Sequence, residues 1–465
     1  MSKIASKWMI VIVERHVLWS LWCIDFAGKA AKEKQDIVIL DLSRFRVRRH
    51  KNNSKYFLTK FYRKNRIENI INRVTLEQKI EVISPNFLDY FGWTRGMFHR
   101  SNLVSFVNGL DSEYFQEKGA RIVNESQLKP KIRAHAILIY NKVFKITTEM
   151  ITERGITKVI VPGGRSLIPN AIIAGTKSMG VECTVLEQIT SKSTRYFEFP
   201  LDFRQNLEPQ QLEIDKTWAN GGDSKYEIAQ NYIGNKLYGS QWGRNYSLKF
   251  DSSIEILKPE DKKVAAIFVG SGFEMVPSDI DIKDTDIGSN QQKRILQVFI
   301  KIALENDFSV VLRGHPSSPG LEEMYAAEDK EWAEFCDKNN VIHFSSLSKV
   351  DSYKLMKTSS INVVYGSTAG IDSIILGANT LVLANTDWAH LVPELCAFDE
   401  QSICNRFRTF ERIVDVKRIY PYAYYMECGG IELSNVEYLP GGGMYFEGQE
   451  IGAPRSNFLR RILKR

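Results

Sequence analysis

Residues 310–320 read VVLRGHPSSPG, and residues 363–385 read VVYGSTAGIDSIILGANTLVLAN. Two short apolar runs each end in small or polar residues that do not pack a core. Arg313-Gly314-His315-Pro316 follows the first, and Gly366-Ser367-Thr368-Ala369-Gly370 follows the second. In a parallel sheet, ligands bind at the carboxyl ends of the strands. A strand that opens into Gly-Ser-Thr-x-Gly and then a helix offers backbone N–H groups, hydroxyls and a helix dipole to an anion, typically phosphate. The pattern points to nucleotide chemistry.

Strand and helix alternate on both sides of this stretch. Residues 263–269 (KVAAIFV) form a predicted strand that opens into Gly270-Ser271-Gly272. A loop with Glu274, Asp279, Asp281, Asp284 and Asp286 follows, then a helix over 290–305. Helices are predicted at 322–338 and 351–357, and strands at 341–344, 361–365 and 380–383. At the other end, WMIVIV (8–13), a helix through 19–34 and DIVILDLS (36–43) make a βαβ opening. Strands at 79–84, 157–162 and 182–186 and helices at 135–153 and 168–179 continue it, with Gly163-Gly164-Arg165 closing one strand and the unit stopping at Glu187. Residues 199–260 read as a crossover containing one helix, at 225–237.

The fold expected is α/β, with two Rossmann-like domains facing a cleft. Residues 1–255 form the first, 256–440 the second, and 441–465 a return crossover. A chain of 465 residues exceeds one ordinary core. Its 43% hydrophobic and 25% charged residues are those of a soluble globular protein. No apolar run approaches the roughly 20 residues that span a bilayer. The start, MSKIASKWMIVIVERH, has the opening of a signal peptide, but Glu14 and Arg15 end its apolar stretch and no cleavage pattern follows, so export is not expected. The six cysteines show no CxxC and no clustering with histidine, which argues against a zinc site or a disulfide framework and fits a reducing cytoplasm.

The net charge of +7 is unevenly distributed. Residues 44–73 carry eleven Lys and Arg against one acid, Glu68, with Tyr56, Phe57, Phe61 and Tyr62 interleaved. This is either a solvated insertion or a patch for an anionic membrane surface or polyanionic glycan. No nucleic-acid motif accompanies it, so no nucleic-acid partner is expected. The tail 455–465 (RSNFLRRILKR) places Phe458, Leu459, Ile462 and Leu463 on one helical face and its basic residues largely on the other. A docked last helix and an interfacial membrane anchor both fit that pattern.

Arg313 and His315 flank a glycine, so both donors can reach one ligand. Arg offers bidentate contacts to phosphate, and His can donate to a phosphate or a base edge. A structural turn is the alternative. Gly366-Ser367-Thr368 carries two hydroxyls that a plain strand-to-helix turn does not need. Asp372, at the start of the following helix, suits a ribose hydroxyl, although acids are common there for dipole reasons alone. The spaced aspartates 279–286 are read as solvated, and no metal is expected.

The run from Arg313 to Ala384 resembles the C-terminal half of GT-B glycosyltransferases that build bacterial capsular and other surface polysaccharides. His315-Pro316, the 351–356 helix, Gly366-Ser367-Thr368 and the Gly377-Ala378-Asn379 turn carry the resemblance. Upstream, residues 269–275 (VGSGFEM) resemble the family's Ser-rich loop, and Gln291 stands where it carries a helix Gln. Gly163-Gly164-Arg165 resembles its Asn-Gly-Arg, with Glu187 where a strand-end Glu recurs. Two departures stand out: Asp372 replaces the more usual Glu, and Gly163 the usual Asn.

The resemblance implies a donor pocket in the second domain from Ser271, Gly272, Arg313, His315, Pro316, Gly366, Ser367, Thr368, Gly370 and Asp372. It implies an acceptor side in the first domain with Gly164 and Arg165. Glu187 and Glu14 are the candidates to deprotonate an acceptor hydroxyl, with His315 on the donor side. The activity implied is metal-independent transfer of a sugar from a nucleotide-activated donor, the co-substrate in place of a cofactor, to a polysaccharide or lipid-linked glycan. The location implied is cytoplasmic, peripheral to the inner face of the plasma membrane. The alternatives are a nucleotide-sugar epimerase or hydrolase, a CDP-glycerol-type polyol-phosphate transferase, and a non-catalytic capsule assembly subunit.

Overall fold

The computed structural model describes residues 6–13, 17–42, 80–85, 130–164, 166–188, 194–200, 207–238, 263–270, 289–315, 322–409 and 414–434, with short strands between 436 and 452. The first unit runs β1 (Lys7–Ile12), α1 (Val17–Lys32), β2 (Asp36–Asp41), β3 (Glu81–Ile83), α2 (Pro130–Arg154), β4 (Ile156–Pro162), α3 (Leu167–Ser178), β5 (Glu182–Glu187) and β6 (Arg195–Pro200). Helices α4 (Glu208–Ala219) and α5 (Lys225–Tyr238) follow. The second unit contains β7 (Lys263–Val269), α6 (Ser289–Glu305), β8 (Phe308–Arg313), α7 (Glu322–Lys338), β9 (Ile342–Phe344), α8 (Ser352–Thr358), β10 (Ile361–Tyr365), α9 (Ala369–Ile375) and β11 (Thr380–Val382). The chain ends through α10 (Glu400–Arg408), α11 (Tyr420–Cys428), β12 (Ile431–Glu432) and a three-stranded meander, β13 (Val436–Leu439), β14 (Gly443–Phe446) and β15 (Gln449–Gly452).

The two large sheets share one strand order. The second is β11-β10-β7-β8-β9, all parallel, and the first contains β5-β4-β1-β2-β3 in the same arrangement. In each, the first strand lies between the second and the fourth, which is the doubly wound order with its topological switch point beside strand one. The central strands are the unbroken apolar runs: Met9 to Ile12 and Val264 to Val269 are buried throughout. Helices cover both faces, so these strands meet apolar neighbours above and below. In α2, Ala136, Ile139, Tyr140, Val143, Ile146 and Met150 are buried at helical spacing, packing the long helix onto the sheet and α3.

Two local expectations are corrected. The first unit does not stop at Glu187, because β6 adds antiparallel to β5 and buries Tyr196, Phe197 and Phe199. The stretch read as a crossover with one helix also contains α4. Its sequence, EPQQLEIDKTWA, buries only Gln210 and Ile214, so it carries little apolar period. Furthermore, the chain is back on the first sheet by Ile431, inside the range assigned to the second domain: Ile431 and Glu432 pair antiparallel with Tyr196 and Arg195. Arg195 fixes this return by donating to the Cys428, Gly429 and Gly430 carbonyls and pairing with Glu432 at 3.0 Å. Asp25 accepts from Tyr196 Oη at 3.0 Å and from the Ser434 N–H at 2.8 Å.

One apolar cluster continues from the first sheet to the second through α5 and α11. It joins Val11 and Val38 to Val264, Ile371 and Trp388 by way of Ala229, Tyr232, Tyr422 and Tyr425. The loop after β11 is tied to α4 by Gln211, which donates to Asn385 and to the Thr386 carbonyl at 2.9 Å, and by His390 beside Asp215 at 3.3 Å.

Candidate functional site

The register of the second sheet brings two glycine turns together. Tyr365 is the partner of Val269, so Gly270 and Gly366 leave adjacent strands side by side at the switch point. Gly366 has a φ of +65°, a left-handed value that turns the chain sharply off β10. Ser367 is half-buried and its Oγ accepts from the Ala369 N–H at 3.2 Å, while Thr368 is exposed. Among the described residues, no protein acceptor takes the N–H of Ser367 or Thr368.

The turn rests on a buried polar floor. Asn362 Nδ2 donates to the Met356 carbonyl and to Ser373 Oγ, both at 2.9 Å, and Ser373 Oγ lies 2.7 Å from Thr380 Oγ1. Arg406 donates to Asn379 Oδ1 at 2.8 Å and to the Thr380 carbonyl, fixing the Gly377-Ala378-Asn379 turn from below. These bonds hold α9 against β10 and β11. Gly370 also serves this packing, because its Cα lies under the Trp388 indole. Its Cβ side faces the core.

A larger correction concerns Arg313. It is 1% exposed, and its guanidinium is occupied by protein. Nε donates toward Ser352 Oγ at 3.4 Å, Nη1 to the Ser345 carbonyl and Nη2 to the Ser348 carbonyl at 3.1 Å. Burial lowers its pKa to about 10 despite the Asp329 carboxylate nearby. Arg313 therefore organises the loop after β9. Asp329 holds the same loop, accepting from the Ser346 N–H at 2.8 Å and from Ser346 Oγ at 2.5 Å. His315 lies half-buried at the end of this strand, next to the loop that Arg313 secures. Pro316, Ser271 and Gly272 lie outside the described residues.

Asp372 is already engaged. Its Oδ1 is 3.0 Å from Nζ of Lys236, which comes from α5. Burial and this carboxylate push the Tyr353 hydroxyl up. Burial depresses the Lys236 ammonium, but Asp372 outweighs it and the net direction is up. Lys236 is a partner of Asp372 that the sequence reading missed, since an isolated lysine in a helix more than a hundred residues upstream carries no local signal. Asp387 follows β11. Burial raises its carboxyl to about 6, against hydrogen bonds from its own and the Trp388 N–H.

At the first sheet, Ile10 pairs with Ile160, which brings the ends of β1 and β4 together at the other switch point. Gly163 and Gly164 follow β4 with φ of 73° and 157°, and the Trp19 ring covers Gly163. Glu187 is half-buried at the end of β5, with Oε1 accepting from the Gln188 N–H at 3.1 Å. Asp41, not singled out beforehand, ends β2 at 6% exposure and accepts from Ser84 at 3.4 Å. Glu14, Arg165, the basic segment 44–73, the acidic loop 279–286 and the tail 455–465 lie outside the described residues. Among the described residues, no cluster of three His, Cys, Asp or Glu side chains is arranged to hold a metal, and no helix is long and apolar enough to cross a membrane.

No family model and no curated protein matches the chain. Solved structures do. The β-Kdo 2,7 transferase of KpsC from Thermosulfurimonas dismutans is 16% identical over 73% of this chain and 98% of that one, with a TM-score of 0.34. The β-Kdo 2,4 transferase of the same KpsC is 9% identical over 61% and 87%, with a TM-score of 0.38. The UDP-GlcNAc 2-epimerase of Methanocaldococcus jannaschii is 9% identical over 91% and 100%, with a TM-score of 0.30. Likenesses this distant assign neither activity nor substrate.

Proposed function

We propose that this chain is a glycosyltransferase that moves a sugar from a nucleotide-activated donor to a surface polysaccharide or lipid-linked glycan. The observation that carries the reading is the paired exit of Gly270 and Gly366 at the switch point of the second sheet, beside the N–H groups of Ser367 and Thr368, which no acceptor among the described residues takes. Negative charge builds on the departing phosphate during transfer, and N–H donors fixed in advance stabilise it without reorganising. His315, at the end of β8, is the side chain assigned to share that charge, and Asp372 the acceptor for a ribose hydroxyl. Glu187, which ends β5 at the carboxyl edge of the first sheet, and Glu14, two residues after β1 in the sequence, are the carboxylates assigned to the acceptor hydroxyl. No metal is assigned a role. The basic segment 44–73 and the tail 455–465 would hold the enzyme on an anionic membrane.

The test is transfer from a panel of CMP-, UDP- and GDP-sugars to extracted surface glycan. Label incorporated only when acceptor is present supports the reading. Free sugar released without acceptor dependence means hydrolysis or epimerisation instead, and transfer of glycerol phosphate from CDP-glycerol means a polyol-phosphate transferase. Absence of any nucleotide binding leaves a non-catalytic subunit.

A further inference from the structure

A phosphate at the edge of the second sheet calls for a cation, and Arg313 is buried against the Ser345 and Ser348 carbonyls. A different one lies one helical turn from it. Lys236 extends from α5, which packs on α9, and its Nζ lies 3.0 Å from Asp372 Oδ1. The Asp372 N–H donates to the Thr368 carbonyl at 3.3 Å, so this carboxylate stands one helical turn from Thr368. The two side chains are partly buried, 25% and 16% exposed. The Tyr232 ring, with its centroid 6.0 Å from Nζ, flanks the ammonium. An ammonium has three donors, and the ion pair with Asp372 engages one face of it.

We propose that Lys236 binds the phosphate of the nucleotide donor, with Asp372 holding its ammonium beside the Gly366–Thr368 turn. The proposal rests on the nucleotide-binding reading above. The ion pair, 25% and 16% exposed, fixes a long side chain in one place. It also removes an obstacle. Without Lys236, the Asp372 carboxylate would repel a phosphate roughly 5 Å away, one helical turn along. Shared between the two anions, the ammonium cancels that repulsion, and the Tyr353 hydroxyl donates to the same carboxylate.

The experiment is calorimetric titration of the wild type, Lys236→Met and Lys236→Arg with CMP and UDP, and with cytidine and uridine as uncharged controls. Lys236→Met should bind both nucleotides at least about tenfold more weakly, the scale of a lost charge-assisted hydrogen bond. It should bind the nucleosides as the wild type does, and Lys236→Arg should recover most of the loss. Wild-type nucleotide affinity in Lys236→Met would overturn the proposal and leave the nucleotide site standing. An equal loss for nucleosides would also overturn it, marking Lys236 as a support of the fold; melting curves of both variants give the same distinction. A wild type that binds neither nucleotide would overturn the parent reading itself.

Discussion

The Trp388 indole lies across the Cα of Gly370: a Cβ there would stand 2.5 Å from the ring's Cη2 and 3.0 Å from Val364 Cγ2. Trp388 is 1% exposed and cannot swing into solvent without opening the core. Gly370→Ala should therefore destabilise the protein by about 1–3 kcal/mol, the usual cost of overpacking. It should also weaken nucleotide binding, because α9 must shift away from Trp388 and take the Gly366–Thr368 turn with it. Chemical denaturation and nucleotide titration check the two effects, and a stable variant with unaltered binding would contradict both.

Arg313 should behave as a structural residue. Arg313→Ala strips the donors from the Ser345 and Ser348 carbonyls and leaves a cavity at a 1% exposed position. A loss of about 3 kcal/mol is expected, measured as a lower urea midpoint with no nucleotide present. A phosphate-binding arginine would instead leave the ligand-free protein as stable as before.

Ser367 and His315 should show the opposite pattern. Neither carries the core, so Ser367→Ala and His315→Ala should keep the wild-type melting temperature. Sugar transfer should fall about a hundredfold in each, the scale of losing one donor to a developing anion. Undiminished transfer in both variants would rule out this edge as the donor site.

Asp387 sets a pH dependence of stability. Its folded pKa of about 6 lies above the ordinary carboxylate value of about 4. Between those values the folded protein keeps a proton that the unfolded chain has released. Stability from this group is thus full below pH 4 and declines as pH rises to 6. Above pH 6 the loss is complete, about 3 kcal/mol. Asp387→Asn should flatten this decline, so the variant gains on the wild type between pH 4 and 7. Urea midpoints across that range test it, and parallel profiles for the two proteins would refute it.

Much of the framework was legible in the chain. Unbroken apolar runs such as KVAAIFV and WMIVIV marked the central strands, because a strand covered on both faces needs no polar alternation. Glycines at the ends of β4, β7 and β10 marked the carboxyl edges. β6 was obscured because Glu198 interrupts a short aromatic run, and its burial comes from pairing with β5 and β12 and from packing of Phe197 on Tyr425, all remote in sequence. α4 was obscured because it buries two residues and shows almost no period.

By itself, the sequence determined where strands end in glycine and hydroxyl residues, since backbone turns and apolar periods are local properties. Only the tertiary structure decided which side chains face those ends. Arg313 sits next to the motif in sequence but is taken by carbonyls that lie 32 and 35 residues on. Lys236 is remote in sequence but stands 3.0 Å from Asp372. A guanidinium or an ammonium commits to whichever acceptors the fold brings within reach, and that choice is set by the packing of elements far apart in the chain.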